Sequence, residues 1–454
     1  MSQYDRWVAR PRRRSGYALC YTSISLHSME VRPTLVLFTG SYPFHFASED
    51  SFLGPEIPHL VRTFDRVVIV PAARGGDRSS LPREVEVDET LAELNATSVG
   101  RFRNILAAAS SPLFARELAT RLLRIASPTA ARRLLVFAAQ ASRVARWFPE
   151  FIRRRRLESR PTIFYTYWLD YVSGGLVLAR RTRGRSVVVS RAHGFDLYEQ
   201  RQHPPYLPCR PTLLRRLDRL YLISEHGRSY LADRYPKVGA NLAVSRLGTR
   251  DPGFLSMPSH DGVFRVVSCS ALIGVKRIDR LAQGLALAAR ARPTQSIEWH
   301  HLGDGPLRAE LQDLVASTAP PNLRWHFAGQ VAHSEVLRSY RERPTDLFAN
   351  ASESEGIPVA IMEAQSCGIP SMAPAVGGVP EIVSSDNGFL LNTPATPQLI
   401  VGVLTAILDS PEVLREKRRR SRADWAMRFD SERNFSAFAE DLRALLAERG
   451  TAAE

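Results

Sequence analysis

Cysteine and lysine are both scarce in this 454-residue chain. The four cysteines, Cys20, Cys209, Cys269 and Cys367, form no Cys-x-x-Cys pair. That scatter argues against a disulfide framework or a zinc site and fits a reducing cytosol. Lysine occurs only at Lys237, Lys276 and Lys417, so nearly all of the 61 basic residues are arginine. No stretch approaches the roughly 20 apolar residues that a membrane-crossing helix requires. Asp-x-Asp is absent, which removes the obvious ligands for a metal bridging a diphosphate. A P-loop, a Gly-x-Ser-x-Gly elbow and a His-Glu-x-x-His zinc motif are absent too.

What remains is an ordinary globular composition, 44% hydrophobic and 24% charged, in a chain long enough for two domains. The net charge is +15. Arginine concentrates between Arg101 and Arg160, including the run Arg153-Arg154-Arg155-Arg156, with Leu122, Leu123, Leu134, Leu135, Phe137 and Phe148 interleaved at helical spacing. Such helices suit an anionic membrane surface, or are simply solvated faces. Nucleic acid is not expected, because no zinc-finger spacing or RNA-binding aromatic motif accompanies the charge. Residues 1–28 read as a basic disordered tail. Thr22, Ser23, Ser25 and Ser28 interrupt any signal-peptide core, and Met29 is a possible start.

Short apolar runs then alternate with helical stretches. Thr34–Phe38, Arg66–Val70, Thr162–Thr166, Ser186–Ser190 and Leu220–Ser224 are expected strands of one parallel sheet covered on both faces. A turn-rich break from Asp251 to Gly262 marks a boundary. The alternation restarts with Phe264–Ser268, Ile297–Trp299, Leu323–Phe327 and Asp346–Ala349. The organisation expected is an α/β domain over 29–255, a second over 262–425, and a terminal helix over 426–448. Ligands of such sheets bind at the carboxyl ends of strands, so two facing domains would enclose a cleft.

The densest chemistry lies between Glu355 and Glu381. Pro358 suits a first helical turn, and Gly368 followed by Pro370 suits a helix end. Glu355 is therefore expected in the loop entering a helix, and Glu363, eight positions on, upon it. Val359, Ile361, Met362, Ala364 and Cys367 make that helix apolar on nearly every side, so Glu363 needs a partner. The amides of Gly356 and Ile357 at the helix start form an anion site, and Gly377-Gly378 adds a second backbone turn. Two glutamates near a helix are otherwise usually solvated. Lys276, following the strand 264–268, is a compact point charge suited to a phosphate.

The run Glu355-Gly356-Ile357-Pro358, Glu363, Gly368-Ile369-Pro370 and Gly377-Gly378-Val379-Pro380-Glu381 resembles the signature of retaining glycosyltransferase family 4. That resemblance implies the GT-B fold: two facing Rossmann-like doubly wound domains with an interdomain cleft, the last helix crossing back onto the first domain. It also implies that Glu363 holds ribose hydroxyls, that Glu355 lies by the donor sugar, and that Lys276 meets the diphosphate. The family usually pairs this Lys with an Arg five residues earlier, where this chain has Ala271; Arg277 is the candidate replacement. Gly303, in His301-Leu302-Gly303-Asp304-Gly305, looks like the family's Gly-x-Gly turn. Gln330 and Val331 correspond to its nucleobase-flanking loop. His193, in Arg191-Ala192-His193-Gly194-Phe195-Asp196, matches an element close to the transferred sugar, the competing explanation being a structural histidine satisfied by Asp196. Similar Arg-Ala-His-Gly and Ile-Ser-Glu-x-Gly elements occur in members acting in bacterial polysaccharide assembly. Gly40, Ser41 and Glu49, after the first strand, are expected on the acceptor side.

The expected activity is metal-independent, retaining transfer of a hexose-type sugar from a nucleotide-diphosphate sugar to a lipid-linked or oligosaccharide acceptor in cell-surface polysaccharide biosynthesis. Glu355 and His193 are the expected catalytic residues. No cofactor is expected, since the nucleotide sugar is the donor substrate. The expected location is the cytoplasmic face of the plasma membrane, held through the Arg-rich helices. The alternatives are a nucleotide-sugar epimerase of the same architecture and an inactive basic membrane-binding scaffold.

Overall fold

The computed structural model describes residues 33–44, 49–97, 108–180, 186–236 and 241–451. The tail expected over 1–28, together with Arg101, Arg103 and Lys237, lies outside the described residues.

Two parallel sheets organise residues 33–451. The first runs β3–β2–β1–β4–β5–β6–β7, built from β1 (Thr34–Thr39), β2 (Arg66–Pro71), β3 (Val85–Val87), β4 (Thr162–Thr166), β5 (Val187–Ala192), β6 (Arg219–Leu222) and β7 (Leu242–Val244). The second runs β10–β9–β8–β11–β12–β13, from β8 (Val263–Cys269), β9 (Ser296–Leu302), β10 (Leu323–Phe327), β11 (Leu347–Ala349), β12 (Ser371–Pro374) and β13 (Gly388–Leu391). This is the GT-B architecture. β3, β7, β12 and β13 escape a reading by apolar runs. Each has only three or four residues, too few to show a period.

Alternation along the strands divides each domain into two cores. In β1, Val36 and Phe38 pack with Val144, Phe148 and Phe151 of helix α2 (Pro128–Arg155), behind helix α1 (Asp50–Thr63) in chain order. Leu35 and Leu37 face the other way, onto Leu53 and Ile57 of α1. Helix α3 (Tyr171–Ala179) joins the first layer through Val172 and Leu176. Gly175 has no room for a side chain there, since an added Cβ would lie 2.4 Å from Val144.

Each sheet reverses its strand order once, β1 lying between β2 and β4 and β8 between β9 and β11. The loops leaving these neighbouring strands diverge and open a crevice at the carboxyl end of the sheet. The final helices differ from one another in allegiance. Helix α6 (Val413–Arg428, after α4, Glu225–Arg234, and α5, Val359–Ser366) buries Trp425 in the second domain. Helix α7 (Ser431–Thr451) buries Phe438, Ala439 and Leu442 in the first domain, with Phe438 against Tyr165 of β4 and Tyr221 of β6. Arg191 of β5 anchors it from below. It is fully buried, 2.5 Å from Glu56 of α1, with its guanidinium 4.0 Å from the Phe438 ring centroid.

Candidate active site

The crevice of the second sheet holds the residues singled out for donor chemistry. Lys276 comes from the loop after β8 and Glu355 from the loop after β11, and their charged ends meet at 2.7 Å. The two loops are also tied by the Glu353 amide, which donates to the Val275 carbonyl at 2.9 Å. Glu355 is 7% exposed and also accepts from Asn350 Nδ2 at 3.4 Å. Burial pushes its carboxyl up, but the Lys276 ammonium outweighs this and holds it below the ordinary glutamate range. Glu355 is therefore ionised at neutral pH.

Beyond Glu355 the amides of Gly356 and Ile357 donate to no group among the described residues. The Gly377-Gly378 turn lies against them: the Gly378 amide donates to the Gly356 carbonyl at 2.8 Å. Gly377 has φ +55°, and a Cβ there would stand 1.9 Å from the Glu355 carbonyl oxygen. Only glycine allows that approach in that conformation.

Helix α5 begins at Val359, one residue later than Pro358 suggested, with Pro358 as its N-cap. It ends in a Schellman motif. Gly368, at φ +72°, donates to Gln365, and Ile369 donates to Ala364. Glu363 is buried at 6% exposure, and its partner is His333 Nε2 at 2.7 Å. The carboxylate raises the His333 pKa against the opposing effect of burial. The resemblance did not single out His333, although it lies only two residues past Val331.

His193 enters from the first domain. It follows β5, is 8% exposed, and is packed between the rings of Tyr167 and Trp168 at centroid distances of 4.5 and 4.4 Å. Neither ring nitrogen has a hydrogen-bond partner among the described residues, and Nδ1 stands 3.7 Å from Asp196. The Asp196 carboxylate instead accepts from the amides of His193, Gly194 and Leu169. Asp196 thus shapes the turn rather than satisfying the imidazole. Across the cleft, a Cβ on Gly356 would lie 3.2 Å from the His193 carbonyl oxygen. The two domains bring His193 and the Glu355–Gly356 loop together.

Other expectations need revision. Arg277 does not replace the missing charge at Ala271. Its guanidinium is neutralised by Asp279 at 2.7 Å and Glu353 at 2.6 Å. Gly303, at φ +134°, donates its amide to Gly329, and a Cβ would lie 2.0 Å from the Ser270 carbonyl. It allows three loops to pack and has no amide left for a ligand. Gln330 is exposed, whereas Val331 packs on the second-domain core. Glu49 is buried and engaged inside its own loop. It accepts from the amides of Gly40, Ser41 and Tyr42 at 2.6–2.8 Å, and from the Trp168 indole. Its carboxylate is not open to an acceptor. A Cβ on Gly40 would press 2.9 Å from Glu49.

Sequence reasoning missed the interdomain ties. Arg201 donates through Nε to Ser354 Oγ at 2.7 Å, next to Glu355. Glu381, the last residue of the Gly-Gly-x-Pro-Glu run, accepts from the His226 amide at the start of α4 and from Arg246 at 3.0 Å. Neither arginine carried any local signal. Among the described residues, no group of three or more His, Cys, Asp or Glu is placed to hold a metal ion.

Two facing Rossmann-like domains with charged groups at both switch points define the class, a GT-B protein. Residues 264–410 match the family model described as glycosyl transferases group 1, so that domain lies in the second half of the fold. The chain is 28% identical over 220 residues to a putative colanic acid biosynthesis glycosyltransferase, WcaL, of Escherichia coli, covering 46% of this chain and 52% of that one. The first curated relatives are covered over 21% to 52% of their length. Among solved structures, sucrose-phosphate synthase from Thermosynechococcus elongatus superposes with TM-score 0.65 at 16% identity, covering 92% of this chain and 100% of that one. Anabaena Alr3699/HepE in complex with UDP gives TM-score 0.62 at 18% identity, covering 91% and 100%.

Proposed function

We propose that the protein is a metal-independent retaining glycosyltransferase. It moves a hexose-type sugar from a nucleotide-diphosphate sugar to a lipid-linked saccharide in cell-surface polysaccharide biosynthesis. The observation that carries this reading is the Lys276–Glu355 ion pair at the switch point of one sheet, with the His193 carbonyl of the other domain packed against the adjoining Gly356. Lys276 and the amides of Gly356 and Ile357 stabilise the leaving diphosphate. Glu363, exchanging His333 for ligand hydroxyls, holds the ribose. Glu355 stabilises positive charge developing on the sugar ring, and the His193 imidazole meets the sugar from the first domain. The family match over 264–410 and the UDP bound in the HepE structure support a nucleotide-sugar donor. The Arg-rich helix α2 would hold the protein at the inner face of the plasma membrane.

A thermal-shift screen of UDP- and GDP-sugars tests the reading, since a ligand that binds the folded state raises its apparent stability. One nucleotide sugar should raise the melting temperature, and Glu363→Ala should abolish that rise. No shift with any of them, or an undiminished shift in Glu363→Ala, refutes the assignment.

A further inference from the structure

The loop that was expected to receive the acceptor has its carboxylate engaged internally, through Glu49. A different part of the first domain offers open polar groups. A cavity of about 540 Å³ lies between helix α2 and the loops leaving β4 and β5, at the carboxyl edge of the sheet where doubly wound folds bind ligands. Its size falls within the roughly 300–1,000 Å³ of small-molecule sites.

Two kinds of surface line it. Phe195 is 53% exposed and Val136 45% exposed, both unusually bare for their type. Phe195 is braced by Trp168, 4.9 Å away between ring centroids, and Trp168 itself packs on His193. A braced, open aromatic face is what the apolar side of a pyranose ring stacks against, since its C–H groups carry the positive edge that a π-face attracts. The polar groups are Arg132 and Gln140 of α2, Gln202, and Asp170. Arg132 and Gln140 have no hydrogen-bond partner among the described residues. Gln202 has only a long contact of 3.4 Å to the Phe195 carbonyl. Asp170 caps α3 through the Val172 amide at 2.8 Å and also lines the cavity. Arg133 and Arg210 in the same wall are engaged by backbone carbonyls, so the open groups around the aromatic face are a mixture of donors and acceptors, which suits the hydroxyls of a neutral ring.

The wall of this cavity and the candidate active site share the turn His193–Asp196. Phe195 and Asp196 line the cavity, and the His193 carbonyl packs against Gly356 of the Glu355–Gly356 loop. We infer that the cavity binds the terminal neutral pyranose of the acceptor, stacked on Phe195 and hydrogen-bonded by Arg132, Gln140, Gln202 and Asp170. This inference rests on the transferase reading, and it moves the acceptor site away from Gly40, Ser41 and Glu49.

Saturation-transfer NMR with octyl glucoside, octyl galactoside and octyl mannoside on the full chain tests it without any donor. At least one glycoside should receive saturation on its ring protons. Val136→Trp, which fills the cavity from a half-exposed helical position, should remove most of that signal. Phe195→Ala should weaken binding at least fivefold. Thermal shifts with UDP- and GDP-sugars should be unchanged in both variants, which shows that they fold. The inference is overturned if no glycoside binds the native chain, if Val136→Trp binds as the native chain does, or if signal confined to the octyl chain shows detergent-like contact only. Absence of a nucleotide-sugar shift together with a cavity-dependent glycoside signal would overturn the transferase reading instead and leave a saccharide site.

Discussion

Replacing Glu355 by Gln should tighten nucleotide-diphosphate binding while slowing turnover. In the free protein Lys276 Nζ lies 2.7 Å from Glu355 Oε1, with side-chain exposures of 23% and 9%. An incoming diphosphate must compete with that carboxylate for Lys276 and also approach its negative charge. At this separation and an effective dielectric of about 20, the attraction is about 6 kcal/mol. Desolvation of both groups offsets much of it. The net worth of such a charge-assisted hydrogen bond is about 1.5–3 kcal/mol. Gln keeps the shape and one acceptor but removes the charge, so part of that energy becomes available to the ligand. A gain of about 1.4 kcal/mol corresponds to a tenfold lower Kd, and tenfold to fiftyfold is expected. Isothermal titration of UDP and GDP into both proteins at pH 7.5 measures it. Turnover should fall by about 10²–10³, the scale on which removing one electrostatic stabiliser acts. If Glu355→Gln binds both nucleotides no better than the native protein, the diphosphate is not held by Lys276. Lys276→Met offers a contrast. It strands a buried carboxylate and should cost more stability than Glu355→Gln.

Three further outcomes follow from burial and strain. Arg191→Met leaves Glu56 buried and unpaired, and removes the cation over Phe438 that holds α7. The loss should be about 3–5 kcal/mol, seen as a lower chemical-denaturation midpoint, and Glu56→Gln in the same chain should recover part of it. Asp170 is pushed up to about 7 by burial. Between pH 4 and pH 7 the unfolded state has lost this proton and the folded state retains it, so this group lowers stability as pH rises through that window. Asp170→Asn keeps the helix cap and should stabilise the protein relative to the native chain more at pH 8 than at pH 4. The difference should be about 2 kcal/mol, half the full linkage value because the side chain keeps some solvent access. Gly377→Ala places a methyl group against the Glu355 carbonyl at φ +55°. It should abolish the nucleotide-sugar thermal shift and lower the melting temperature.

Much of the architecture was readable from local pattern. Apolar runs of five or six residues marked β1, β2, β4 and β5, because a strand covered on both faces must be apolar throughout. The segment from Glu355 to Glu381 displayed its loop, helix and turn because they are contiguous there, and glycine and proline constrain the backbone in ways that sequence displays. Lys276 was legible for a different reason: its rarity among arginines.

Pairings between distant segments were not legible. Arg277 was a plausible substitute for the missing arginine until the fold set Asp279 and Glu353 beside it. Glu49 looked like an acceptor group until three backbone amides closed on its carboxylate. His333 and Arg201 carried no local signature, and each acquires its partner, Glu363 or Ser354, only when separate elements meet.

The sequence by itself determined two doubly wound domains, the loop-and-helix that frames Glu355 and Glu363, and the want of Asp-x-Asp ligands. Backbone preference and solvent exclusion act over a few residues, and a chain records them directly. Tertiary structure alone decided which charges stay available. It joined Lys276 to Glu355, closed the loop around Glu49, left the His193 ring nitrogens without a hydrogen-bond partner among the described residues and opened a cavity beneath Phe195. Availability depends on what else reaches the same few ångströms, and electrostatic and steric terms at that range are set by segments far apart in the chain.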